Sequence, residues 1–162
     1  MKKEISKGLV IVNGNWKEEI SEKFDLCDDD YYQTSFLDTI WEVSLTAFDI
    51  PREVQVVIDA DLNLYMSVGN PGFVWFDEPP VGLSLPLRCW IHTHPFGKAY
   101  FSHTDWKTIR TWESELEEAI VLGDREAMSW VKGEEHTIHY AQCEIPEWVP
   151  EQMTLDDFGE EK

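Results

Sequence analysis

LRCWIHTHPFGKAYFSHTDWKTIRTWESELEE, residues 87–118, reads as a strand, a short loop and a helix in succession. Leu87–His92 is an apolar run of strand length, and Pro95 and Gly97 end it. From Thr104 or Asp105 to about Glu118 the spacing becomes helical, with Ile109, Trp112, Leu116 and Ala119 or Ile120 on one face. A strand feeding an amphipathic helix through a short loop is an α/β arrangement.

The flanking sequence extends this pattern. Upstream, Phe36, Leu37, Ile40, Trp41, Ser44, Leu45 and Phe48 form one apolar stripe, which predicts a helix over Thr34–Phe48, stopped by Pro51. Val54–Ile58 is β-branched and reads as a strand; Asp59–Asn63 is a turn and Leu64–Val68 a second strand. Residues 69–86 are rich in Gly and Pro and carry Phe73, Trp75 and Phe76, so they are expected to form a loop, with those aromatics either a partner-binding patch or a cap on the core. Downstream, Ala119–Leu122, Met128–Val131 and Thr137–Cys143 read as strands separated by Gly123-Asp124 and Gly133-Glu134 turns. Gly8–Val12 suggests another short strand, whereas 15–33, with Asp28, Asp29 and Asp30, gives no assignment. The expected architecture is one α/β domain over residues 1–150, a mixed sheet flanked by two main helices, followed by an acidic, frayed tail at 151–162.

A chain of 162 residues can bury a full core without staples. Its three cysteines, Cys27, Cys89 and Cys143, are scattered and odd in number, so no disulfide framework is expected and a reducing cytoplasm fits. No apolar run has the length of a membrane span, and no apolar stretch follows the charged start, so neither a span nor a secretory signal is expected. With 32 acidic against 13 basic residues the formal charge is −19, which disfavours contact with nucleic acid and suits a basic partner, plain solubility or a salt-rich host.

The chemistry is concentrated in residues 92–105. A catalytic zinc takes three ligands from imidazole and carboxylate and leaves a position open. His92 and His94 stand two apart at a strand end, so both imidazoles fall on one face. Asp105 opens the next helix, from which a short loop can return its carboxylate as a third ligand. An isolated His-x-His pair says little, because such pairs are common in strands. Here Pro95, Ser102 and Asp105 stand in register with it.

That pattern, His-x-His-Pro, six residues, Ser, two residues, Asp, resembles the signature of the JAMM (JAB1/MPN+) zinc metallopeptidases. Each fixed position is matched, by His92, His94, Pro95, Ser102 and Asp105. The likeness is sharp over 87–118 and looser over 36–68. It implies a compact, prokaryotic-type JAB/MPN-like domain holding one Zn²⁺ through His92, His94 and Asp105, with Ser102 supporting the oxyanion. It further implies a glutamate acid/base at the start of the strand after the first helix. Glu53 stands there; Glu42, the competitor, falls inside the helical stripe. The resemblance also implies a ubiquitin-like protein, or its conjugate, as partner and cleavage after its C-terminal glycine. Rival readings are a scaffold of the same type without turnover and a RadC-like protein, the latter disfavoured by the acidity.

Other candidates have plainer readings. Ser102 also suits a helix N-cap. Cys89 points opposite to His92 on the strand and is expected in the core. His103 is a bystander or substrate contact, and His136 and His139 fall on opposite faces of a strand, which argues against a second metal with Cys143.

Overall fold

Val54-Gln-Val-Val-Ile58 has no exposed position, as expected of a central strand covered on both faces. This strand, β1 (Val54–Ile58), is joined by β2 (Leu64–Val68), β3 (Cys89–Thr93), β4 (Glu118–Gly123), β5 (Glu126–Val131) and β6 (Ile138–Gln142). Among the described residues three helices accompany them: α1 (Trp16–Asp25), α2 (Thr34–Thr46) and α3 (His103–Trp112), with a 3₁₀ turn at Glu113–Glu115. The computed structural model describes residues 10–27, 34–69, 82–133 and 138–142.

The six strands form one sheet in the order β2-β1-β3-β4-β5-β6. All neighbours are antiparallel except β3 and β4, which run parallel, so the sheet is mixed and the fold is α/β. The parallel pair follows from the connection: α3 and the 3₁₀ turn carry the chain back before β4 begins.

Each face of the sheet has its own core. Alternation along β3 sends Cys89 and Ile91 to the face where Phe36, Ile40 and Val43 of α2 and Trp16 and Ile20 of α1 pack. Trp90 goes to the other face, beside Ile109 of α3, Leu116, Ala99 and Phe101. Cys89 is thus a core residue, and burial pushes its thiol well up, which leaves it unreactive.

The helix predicted over Thr34–Phe48 ends at Thr46, because Phe48 instead bridges Ile11. The predicted helix to Glu118 is α helical only to Trp112; beyond the 3₁₀ turn Leu116 bridges Leu87. Leu87 N–H donates to the Glu115 carbonyl and Glu117 N–H to the Leu87 carbonyl, so this stretch docks as an extended segment. The expected Gly8–Val12 strand reduces, in its described part, to the single Ile11–Phe48 bridge, with Val10, Ile11 and Val12 exposed. Helix α1 is an addition to the two expected, so among the described residues three helices accompany the sheet. The aromatics Phe73, Trp75 and Phe76, together with His136, Cys143 and the 151–162 tail, lie outside the described residues. Among the described residues no helix is long and apolar enough to cross a membrane.

Candidate metal centre

The centre sits where β3 leaves the sheet. Alternation places Trp90, His92 and His94 on the α3 side. The Trp90 and His92 rings stack at 4.4 Å with 14° between their planes, and His92 meets His94 edge-on at 5.2 Å. Trp90 is held from behind: its indole N–H donates to Gln55 Oε1 at 2.7 Å, and Gln55 Nε2 donates to Ser67 Oγ at 3.0 Å. The far end of the strand is pinned by Thr93, whose Oγ1 accepts the Val54 N–H at 2.9 Å. His92 is fully buried, and His94 is partly open to solvent.

Helix α3 delivers the third group. Ser102 is its N-cap, in extended conformation, and Asp105 is the third residue of its first turn. Ser102 Oγ accepts the Asp105 N–H at 3.1 Å, and Asp105 Oδ2 accepts the Ser102 N–H at 2.9 Å, a reciprocal capping box. The same Oδ2 lies 3.0 Å from His92 Nε2 and 3.2 Å from His94 Nε2. Among the described residues this is the one group of three or more His, Cys, Asp or Glu side chains close enough to share a metal ion.

These residues fit a metal. Tetrahedral ligands about 2.0–2.1 Å from zinc are separated from one another by roughly 3.3 Å, close to the 3.0 and 3.2 Å between Asp105 and the two imidazoles. His92 supplies an independent sign. Its Nε2 lies 3.0 Å from the Asp105 carboxylate, yet neither ring nitrogen makes a hydrogen bond of good geometry among the described residues. A fully buried imidazole without well-formed hydrogen bonds is costly unless something else takes its lone pair.

The electrostatics favour the ligating protonation states of Asp105 and His92, and the protonated state of His94. Burial alone would raise Asp105, but His92, His94 and the Ser102 N–H hold its carboxyl far below the usual range. Burial lowers His92 below its ordinary value, outweighing Asp105, and so keeps the ring neutral. Burial also pulls His94 down, yet Asp105, then Glu53 and the Lys98 carbonyl, raise it overall. A bound cation would reverse that last effect by its own charge.

Glu53 is buried immediately before β1. Gln55 pairs with His92 across the β1–β3 ladder, so Glu53, two residues earlier, comes beside His94 on the same face. Glu42 is exposed on α2, which covers the opposite face. His103 is exposed in the first turn of α3 and is not part of the group. The supports the sequence did not single out are Trp90, Gln55 and Thr93. Alternation from His92 back to Trp90 is the one signal that could have found them.

Comparison with protein-family models, with curated proteins and with solved structures gives no match. The fold and the site rest on this chain's own geometry.

Proposed function

We propose that the chain is a zinc-dependent metallopeptidase of the JAMM type, with His92, His94 and Asp105 as ligands, Glu53 as acid/base and Ser102 at the oxyanion. The observation that carries the reading is the convergence of three ligand atoms beside a buried carboxylate, at the positions of the motif in residues 92–105. The donor set, two imidazoles and one carboxylate, suits zinc and leaves a coordination position for catalysis. Zinc, when bound, supplies Lewis acidity that activates water and polarises a carbonyl.

The chain's own groups do the remainder. Glu53 takes the proton released from the attacking water and returns it to the leaving amine. Ser102 has a second task besides capping α3: its hydroxyl hydrogen remains available to an oxyanion while its oxygen accepts the Asp105 N–H. The substrate, on this reading, is the extended C-terminal tail of a ubiquitin-like protein, cut after its terminal glycine as a conjugate or a precursor. Support for that substrate class is the sequence resemblance alone. The test is hydrolysis of a ubiquitin-like protein carrying a short C-terminal extension. Zinc-loaded protein should cleave it and His92→Ala/His94→Ala should not. Retained zinc with no cleavage of any such substrate would leave a binding scaffold as the better account.

A further inference from the structure

The loop between His94 and Phe101 does not hang free. His94 N–H donates to the Leu122 carbonyl at 2.8 Å, and Asp124 N–H donates to the Gly97 carbonyl at 3.1 Å. The chain at Lys98–Ala99 crosses directly over Gly123, where an added Cβ would lie 2.2 Å from Ala99 N and 2.5 Å from the Lys98 carbonyl carbon. Glu126, paired with Gly123 across the β4–β5 hairpin and buried, accepts the Ala99 N–H through Oε2 at 2.7 Å. On the other side of the same peptide group, the Lys98 carbonyl lies 3.3 Å from His94 Nδ1. A carbonyl only accepts, so this contact requires a hydrogen on Nδ1 and leaves Nε2, the atom that faces Asp105, as the one a metal would take.

We infer that Glu126 positions and tunes His94 through the intervening Lys98–Ala99 peptide, as the outer member of a carboxylate–peptide–imidazole relay behind the metal ligand. The trans peptide points its N–H and C=O in opposite directions, which lets one unit bridge the two side chains. A carboxylate on the N–H makes a strong, short bond and polarises the carbonyl, so the carbonyl grips the Nδ1 hydrogen more firmly. The result is a fixed tautomer, a fixed ring plane and a more basic Nε2, the usual effect of a carboxylate behind a metal-bound histidine. Gly123 is the floor that lets the peptide approach closely enough. This inference rests on the metal-centre reading above and deepens it.

The test is zinc affinity, measured by competition with a chromophoric chelator, together with ¹⁵N NMR of the His94 imidazole in metal-free full-length protein. Glu126→Gln keeps the length, and its amide oxygen still accepts the Ala99 N–H, so the fold is preserved while the charge is lost. Its zinc affinity should fall about tenfold, and that of Glu126→Ala by up to about a hundredfold. The Nδ1–H resonance of His94, downfield and slow to exchange in the parent protein, should move upfield and exchange faster in both. Zinc affinity of Glu126→Gln within about twofold of the parent overturns the relay, as does an unchanged Nδ1–H resonance in the face of weakened zinc binding. If the parent itself takes up no zinc, the metal centre falls, and the Nδ1–H measurement still decides whether Glu126 orients His94.

Discussion

Gly123→Ala is the sharpest structural perturbation available near the centre. The new Cβ would meet backbone, at 2.2 Å from Ala99 N, 2.5 Å from the Lys98 carbonyl carbon and 2.9 Å from Lys98 Cα. Neither backbone can rotate away as a long side chain would. Reaching ordinary contact at 3.4 Å requires the strand and the loop to separate by about 1.2 Å. That stretch breaks the Asp124–Gly97 bond, now 3.1 Å, and the Ala99–Glu126 bond, now 2.7 Å. The first contributes about 1 kcal/mol and the second, to a charged acceptor, about 1.5–3 kcal/mol. The variant should therefore lose roughly 2.5–4 kcal/mol, which at this chain length is about 5–15 °C in Tm. Zinc affinity should fall with it, since the Lys98 carbonyl leaves His94. Thermal unfolding followed by near-UV circular dichroism and chelator competition read the two effects. A Tm within about 2 °C of the parent, or undiminished zinc affinity, would refute the seating of this loop on β4.

Three further outcomes follow from the same geometry. Glu53→Gln should retain zinc and fold while slowing peptide hydrolysis by about two or more orders of magnitude, and wild-type turnover in it with an inactive Glu42→Gln would reassign the acid/base. Ser102→Ala should lower stability by about 1 kcal/mol through the lost cap and loosen Asp105, seen as weaker zinc binding. Asp59, buried in the β1–β2 turn, would be raised by burial, but it accepts N–H groups of Asn63, Ser84 and Asp61, which hold its carboxyl below the usual carboxylate range. A depressed folded value means a stabilisation fully present above the unfolded value and lost as pH falls through the folded one. The stability gap between parent and Asp59→Asn, about 1–3 kcal/mol at neutral pH, should therefore narrow below about pH 4 in urea titrations.

The strands were legible because their patterns are local. Val54–Ile58 and Leu64–Val68 appear with the bounds the sequence predicts, and the later three strands within a residue or two. The grouping of His92, His94 and Asp105 was legible for a related reason: two of the candidate ligands lie on one strand face and the third on the first turn of the next helix, all within fourteen residues of sequence. Helix α1 escaped because only Trp16 and Ile20 are buried, with Phe24 packed beside them. Its i, i+4, i+8 spacing was present, but acidic neighbours diluted it. The early end of α3 could not be read either, since it is set by the pairing of Leu116 with Leu87, a contact between distant segments. The Glu126 contact was hidden for the same reason: twenty-seven residues separate it from Ala99, and the β3–β4 pairing and the β4–β5 hairpin together bring them into contact.

The central claim is that His92, His94 and Asp105 hold one zinc ion. Elemental analysis of the full chain, loaded with zinc and freed of excess metal by gel filtration, tests it most directly. One zinc per chain is expected in the parent, and loss of that zinc in His92→Ala/His94→Ala while the fold persists. No zinc retained by the parent, or a full complement retained by the double variant, would contradict it.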